Sequence, residues 1–323
     1  MDRRTAWRLG ATALLITALP FAHAADYPAK PITMIVPQNP GGTNDVVGRI
    51  VAHKLGEVLG GTLVVENRVG AGGNIGTATA AKAPKDGYTL LMTISSSQAI
   101  NPAVYKAPGF DPVKDFSPIA LVGSVPNVLV VNPTFPAKTL EDFLKTVKAK
   151  PGHYQYASAG NGTLNHLLGA MLNSTAGLDL QHIPYKGVAP AMTDVIGGQV
   201  PIAFASLPSV LAHLKSGRLV ALGVSSPKRS PALPDVPAIG EKVPGYSGTL
   251  WAGLFAPRGI PPAVEAQLQQ AMAKVLAAPE TRSALAAQGV ELASATPQQF
   301  AALLQEDMAR WARIVKASGA TID

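Results

Sequence analysis

The feature that most limits how this chain can fold is an alternation. Short, continuously apolar runs give way to stretches whose apolar residues recur at helical spacing. PITMIVP at residues 31–37 reads as a buried strand. In DVVGRIVAHKLGEVL, residues 45–59, Val46, Val47, Ile50, Val51, Leu55, Val58 and Leu59 fall at helical spacing. TLVVEN (62–67) predicts a second strand, a small-residue helix follows to Lys82, and TLLMTIS (89–95) predicts a third. Strand–helix–strand order, with strands that do not alternate polar and apolar, calls for a mostly parallel sheet covered by helices on both faces. The fold class is therefore α/β.

The alternation resumes with strands at 127–133, 153–158, 180–185, 200–206 and 219–226. Helices are expected between them at 139–150, 164–173, 189–198 and 209–217. The proline-rich span 227–244 reads as an ordered surface loop. TLWAGLFAP (249–257) returns to strand character, and three helical segments close the chain. Thr296-Pro297-Gln298-Gln299 is a capping box with proline at the first helical position. Phe300, Leu303, Leu304, Trp311, Ile314 and Val315 form the apolar stripe of the helix it opens. These last helices need a sheet to lie on. If they pack on the first half of the chain, that half is discontinuous, with crossings near 124–127 and 246–249.

The N-terminus, MDRRTAWRLGATALLITALPFAHA, places Arg3, Arg4 and Arg8 before a short apolar run, and Ala22-His23-Ala24 supplies a small-x-small cleavage pattern. This reads as a secretory signal, residues 1–24, cleaved near Ala24; the apolar run is too short to span a bilayer. A soluble, exported product is expected. It has no cysteine, so neither disulfides nor thiolate metal sites support it. A chain of this length buries about three quarters of its unfolded surface and can rely on its core. The formal charge of +7 becomes +5 once the signal, with three arginines and one aspartate, is removed. The remaining basic residues are scattered, which mildly favours anions but offers no stripe for nucleic acid.

YASAGNGTLNHL (156–167) poses the enzymatic question, because it holds Ser158 and His166 between an expected strand and an expected helix. A nucleophile elbow needs glycine two residues before the serine, and Tyr156 stands there. His166 lies only eight residues on, about 200° around the helical wheel from Leu164 and off the apolar stripe. A periplasmic hydrolase using Ser158 is thus the runner-up and no catalytic residue is assigned. Phosphate-loop spacing is missing. The run Gly70-Ala71-Gly72-Gly73-Asn74-Ile75-Gly76 follows a strand, yet puts Ile75 where a dinucleotide fingerprint needs glycine. No HExxH-type spacing occurs among the dispersed histidines, so neither metal nor cofactor is expected.

What remains is the shared logic of two loops. Pro40-Gly41-Gly42-Thr43-Asn44 and Ala159-Gly160-Asn161-Gly162-Thr163 each follow a strand and open a helix. Glycine allows close approach and positive φ, and a helix start adds unpaired N–H donors with partial positive charge. Such a place can hold a carboxylate without lysine or arginine. Asp45, in the first turn of the first helix, would repel an anion, and is read as fixing the loop from inside.

Longer stretches resemble one family. They are PxxPGGxxD at 37–45, ENRxGAGGNIG at 66–76, PKDGYTLL at 84–91 and AINPxxY at 99–105. YxSxGxGTxxHL at 156–167, PYKGxxPAxxDxxGGQV at 184–200 and RSPALPDVPAIGE at 229–241 continue the resemblance. Together they are similar to the substrate-binding proteins of tripartite tricarboxylate transporters, the Bug or TctC-like family. The resemblance implies a two-lobed periplasmic binding protein fold of type II-like form, with a ligand cleft between lobes. The lobes would be 25–125 plus 248–323, and 126–247. It further implies capture of a small carboxylate through backbone amides and ordered waters, delivery to inner-membrane permease subunits, and a monomer without turnover. A protein feeding a sensor is the other binding-protein reading.

Carried over by position, the grip would involve Pro40, Gly41, Gly42 and Thr43 from the first lobe. Ser158, Gly160, Asn161, Gly162 and Thr163 would serve from the second, with Ser96, Ser97 and Gln98 after the third strand. Tyr185, Ala205 and Ser206 are further positions. Gln38 stands where the family often has an aromatic, which implies a more polar pocket; Pro201 replaces a commonly acidic residue. Dicarboxylates, tricarboxylates, aromatic acids and amino acids all stay open as ligands.

Overall fold

The computed structural model describes residues 27–318; the expected signal, 1–24, lies outside the described residues. The chain starts with β1 (Ile32–Val36), α1 (Thr43–Leu59), β2 (Leu63–Asn67), α2 (Asn74–Ala81) and β3 (Thr89–Ile94). A π-helical turn, Ser96–Ile100, leads into α3 (Asn101–Val104), and then comes the long β4 (Phe116–Val131). The order continues α4 (Leu140–Lys148), β5 (Gln155–Ser158), α5 (Leu164–Ala176), β6 (Gln181–Pro184), α6 (Val188–Ile196), β7 (Ile202–Ser206), α7 (Leu207–Lys215) and β8 (Val220–Val224). It closes with β9 (Thr249–Pro257), α8 (Pro262–Ala277), α9 (Pro279–Ala287), β10 (Glu291–Leu292) and α10 (Pro297–Ser318).

Hydrogen bonding joins the strands in the order β2-β1-β3-β9-β4-β7-β5-β6, with β8 and β10 also on β4. The expected parallel pairing holds for β1 with β2 and β3, and for β5 with β6 and β7. Around the middle it does not: β9 runs antiparallel to β3 and β4, and β4 is antiparallel to β7 and β8. The physical reason is β4 itself. One continuous strand serves two half-sheets, pairing with β9 up to Pro126 and with β7 from Asn127 onward. Ser225 ties this changeover to the chain's return. The Asn127 N–H donates to Ser225 Oγ at 3.0 Å, and the Ser225 hydroxyl donates to the Gly248 carbonyl at 2.5 Å.

Local chemistry sets the helix limits. α1 starts at Gly42 and stops at Gly60, which adopts φ 67°. Thr139 caps α4 by accepting the Asp142 N–H at 3.1 Å. The capping box of α10 is formed in both directions, Gln299 N–H to Thr296 Oγ1 at 3.2 Å and Thr296 N–H to Gln299 Oε1 at 2.8 Å.

α10 packs on the half-sheet containing β9. Its Phe300 ring meets Trp251 edge-on with centroids 5.2 Å apart, and Trp251 Nε1 donates to Asp307 at 2.6 Å. Gly253 makes this approach possible, since a Cβ there would sit 2.3 Å from Phe300 Cζ. The C-terminal segment thus completes the core laid down by the N-terminal strands. Phe300→Ala should lower the unfolding free energy by about 3–5 kcal/mol, because it opens a cavity in a fully buried aromatic cluster. Urea denaturation measures this, and a loss below about 1 kcal/mol would mean that α10 is not an integral part of the core.

Candidate ligand-binding site

Open α/β sheets bind ligands beyond the carboxyl ends of their strands. A cavity of about 640 Å³ lies there, reached by Pro37 after β1, Ile94 of β3, Ala159 after β5, Pro184 of β6 and Ser206 of β7. Helix starts form much of its wall: Gly42, Thr43 and Asn44 at α1, Gly187 and Val188 at α6, and Ser206 and Ser209 at α7. No side chain caps any of these three helices. The Gly42 and Gly187 N–H groups donate to the Asn39 and Ala159 carbonyls, while the following amides, Thr43 and Asn44 at α1 and Val188 at α6, have neither an intrahelical acceptor nor a capping side chain. Among the described residues, Lys186 is the one charged side chain in the wall.

The first loop is held from behind. Asp45 is buried and accepts the Gly41 N–H at 3.0 Å and Asn67 Nδ2 at 2.9 Å, and pairs with Arg49 at 2.9 Å. Burial pushes its carboxyl up, but the bonds from Arg49, Gly41 and Asn67 outweigh this and hold it below the usual carboxylate range. The charge that would repel an anion is thus neutralised on the far side of the loop. The Gly41 amide, which points at Asp45, is for the same reason not available to a ligand.

The second loop is braced by histidines. The Ser158 hydroxyl is 2.6 Å from His182 Nε2 and accepts the Gly160 N–H at 3.1 Å. The Gly162 N–H donates to His166 Nδ1 at 3.1 Å, and the His166 and His182 rings stack with centroids 4.0 Å apart. Burial lowers both imidazoles; in His182 the neighbouring His166 adds to it, bringing it to about 3. Both rings are accordingly neutral near pH 7, which leaves His166 Nδ1 free to accept. Ser158 is 1% exposed and partnered by His182 rather than by His166. Its hydroxyl shapes the loop.

Of the sequence-predicted positions, the cavity brings together Gln38, Gly42, Thr43, Ser96, Gly160 and Asn161, and with them Thr163, Tyr185 and Ser206. Pro40, Gly41, Ser97, Gln98, Ser158, Gly162 and Ala205 stand outside its wall. Ser97 accepts from Gln38 Nε2 at 2.7 Å, and Gln98 is fully buried. Gly162 packs against α3 so closely that a Cβ there would lie 2.4 Å from Val104.

Sequence reasoning passed over Gly70–Gly73, set aside as an imperfect nucleotide loop, and the start of α6. Both show the same strand-to-glycine-to-helix pattern that singled out the other two loops. Tyr105 and Leu250 also line the cavity, and they reach it only through tertiary packing.

The fold and the cavity define a solute-binding protein of the periplasmic type. A profile described as "Tripartite tricarboxylate transporter family receptor" matches residues 47–320. BugT of Bordetella pertussis is 38% identical over 301 residues, spanning 93% of this chain and 92% of BugT. Among solved structures, an R. palustris protein with adipate aligns at 32% identity and TM-score 0.89, covering 92% of this chain and all of that one. MatC from Rhodopseudomonas palustris with bound malate aligns at 30% identity and TM-score 0.83, covering 90% of this chain and all of its own. The chain belongs to the tripartite tricarboxylate transporter receptor family.

The histidine brace has a pH signature. His182 titrates near 3 when folded against an ordinary value of 6.5, so as pH falls the unfolded chain takes the proton first. Stability present above pH 6.5 is therefore lost progressively between 6.5 and 3. Urea midpoints should fall from pH 7 to pH 5 in the wild type and fall less in His182→Gln. Parallel declines in the two proteins would remove His182 as a source of the acid sensitivity.

Proposed function

We propose that this protein captures a small organic carboxylate in the periplasm and delivers it, without turnover, to the permease subunits of a tripartite transporter. The observation that carries the reading is the convergence of three uncapped helix starts on one cavity whose only charged side chain, among the described residues, is a lysine. The Thr43, Asn44 and Val188 amides, uncapped at helix starts and under the helix dipoles, favour a compact anion. The adipate and malate bound by the two related structures support a carboxylate.

We read the two half-sheets as two lobes, 25–125 plus 248–323 and 126–247, joined where Ser225 bonds the crossings at Asn127 and Gly248. The lobes touch through Asn39 Nδ2 donating to the Lys186 carbonyl at 2.8 Å, Leu164 N–H to Ser96 Oγ at 3.3 Å, and the Thr43 and Ser206 hydroxyls. These bonds support a closed arrangement. The grip is assigned to Thr43, Asn161 and Val188, with Gly42, Thr163, Gly160, Ser96 and Tyr185 completing the wall. Gly41, Ser158 and Gly162 keep the loops in shape through their bonds to Asp45, His182 and His166.

Val188→Pro isolates the backbone's share. Residue 188 is the first helical position of α6, where proline is tolerated and where only the N–H is removed. A thermal-shift screen over carboxylic acids, adipate and malate included, identifies the best binder. Calorimetric titration should then show Val188→Pro weaker by about tenfold to a hundredfold, as for one hydrogen bond to a charged group. Unchanged affinity would show that the amide does not touch the ligand. Ester turnover by the wild type, abolished in Ser158→Ala, would replace binding with hydrolysis as the function.

A further inference from the structure

The glycine turns that open α1 and α6 are joined directly. The first turn begins at Asn39, whose carbonyl accepts the Gly42 N–H at 3.3 Å; Pro40 follows, and Gly41 holds φ 78°. Proline in the second place and a positive-φ glycine in the third suit a type II turn, a stiff platform for the first residue. From it Asn39 Nδ2 donates to the Lys186 carbonyl at 2.8 Å. Turning that amide over would set oxygen against oxygen, so the donor faces Lys186.

The opposite turn is shaped to receive it. Gly187 has φ 117° and gives its own N–H to the Ala159 carbonyl at 3.1 Å. A Cβ on Gly187 would lie 2.2 Å from Asn39 Nδ2 but 3.9 Å from Asn39 Cβ, so the collision is with the donating nitrogen itself. Asn39 and Lys186 both line the cavity. The Leu164–Ser96 and Thr43–Ser206 contacts are buried, whereas the Asn39 bond is exposed, which places it at the cavity's mouth. It lies between the two helix starts that carry Thr43 and Val188.

We propose that Asn39 is a latch, a positioning residue whose bond to Lys186 draws the lobes together before a ligand arrives, and that residue 187 is glycine to let it close. This rests on the two-lobe reading. Both partners belong to the protein, so the bond favours the closed arrangement whatever the cavity holds. One exposed hydrogen bond shifts such an equilibrium by about twofold to tenfold. The grip is then partly preformed, and a bound ligand leaves only after the latch opens.

Small-angle scattering of the ligand-free protein is the first measurement. Asn39→Ala should have a larger radius of gyration than the wild type, as should Asn39→Asp, which keeps the shape and lacks the donor. Gly187→Ala should expand the wild type too, but add little to Asn39→Ala, where its Cβ meets only the remaining Cβ at 3.9 Å. Thermal melts establish that each variant folds. Equal ligand-free radii in the wild type and both Asn39 variants overturn the latch. Contraction of those proteins with adipate or malate would then leave the lobes standing, and no contraction would remove the two-lobe reading as well. Expansions at 39 and 187 that simply add overturn the pairing of the two residues. With whichever acid binds, dissociation from Asn39→Ala should be about twofold to tenfold faster, and association no slower than in the wild type. Slower association with unchanged dissociation overturns the latch, by giving Asn39 a part in the shape of the site instead of in closure. If neither acid binds, the scattering decides by itself.

Discussion

Backbone N–H groups that helices cannot satisfy for themselves are the interaction on which this structure turns. In a parallel α/β arrangement the carboxyl ends of strands and the amino ends of the following helices gather at one edge of the sheet. A capping side chain can quench the first amides of such a helix. α4 and α5 are capped in this way, through Thr139 and Thr163. α1, α6 and α7 begin at Gly42, Gly187 and Ser206 without a side-chain cap, and all three face the same cavity. The absence of a side-chain cap at these three starts leaves donors open toward the cavity.

Open donors are useful only if the loops carrying them are rigid, and the molecule uses some amides to make others available. Gly41 gives its N–H to Asp45, and Gly162 gives its N–H to His166. Each bond fixes a residue at positive φ, 78° and 72° respectively, beside the residues that line the cavity. The supporting groups lie behind the loops: Arg49 and Asn67 neutralise and orient Asp45, while His182 stacks on His166 and meets Ser158. The histidine–serine contact is here buried, with Ser158 1% exposed, and it braces the loop.

Much of the fold was legible because strand and helix periodicities are local. β1, β2, β3 and β9 sit within a residue or two of their apolar runs, and the α10 capping box is where Thr296 and Gln299 place it. The first part of β4 was not legible, since Pro118 and Gly123 interrupt its apolar pattern. Only distant partners rescue it: β9 pairs along its length, and Gly123 lets β10 approach so closely that a Cβ would lie 2.6 Å from the Glu291 carbonyl. The site divides in the same way. Loops that follow a strand and open a helix declare themselves, whereas His182, Tyr105 and Leu250 carry no local signal. Gly73 shows why partial motifs mislead. Glycine is required there because Ser97 and Gln38 crowd it, at 2.5 and 2.7 Å from where a Cβ would stand, and not by a nucleotide.

Gln38 connects the departure from the family pattern with the chemistry of the wall. Where the resemblance leads one to expect an aromatic, this side chain uses both ends of its amide, donating to Ser97 and accepting from Asn44. An aromatic ring could do neither. Without that acceptor, Asn44 would keep only the Met92 carbonyl to orient it, and the two-point constraint on its amide would be lost. Gln38 presents little of its own hydrogen-bonding capacity to the cavity and instead helps orient the Asn44 amide. A single side chain at the edge of the loop thereby helps orient a neighbouring wall residue.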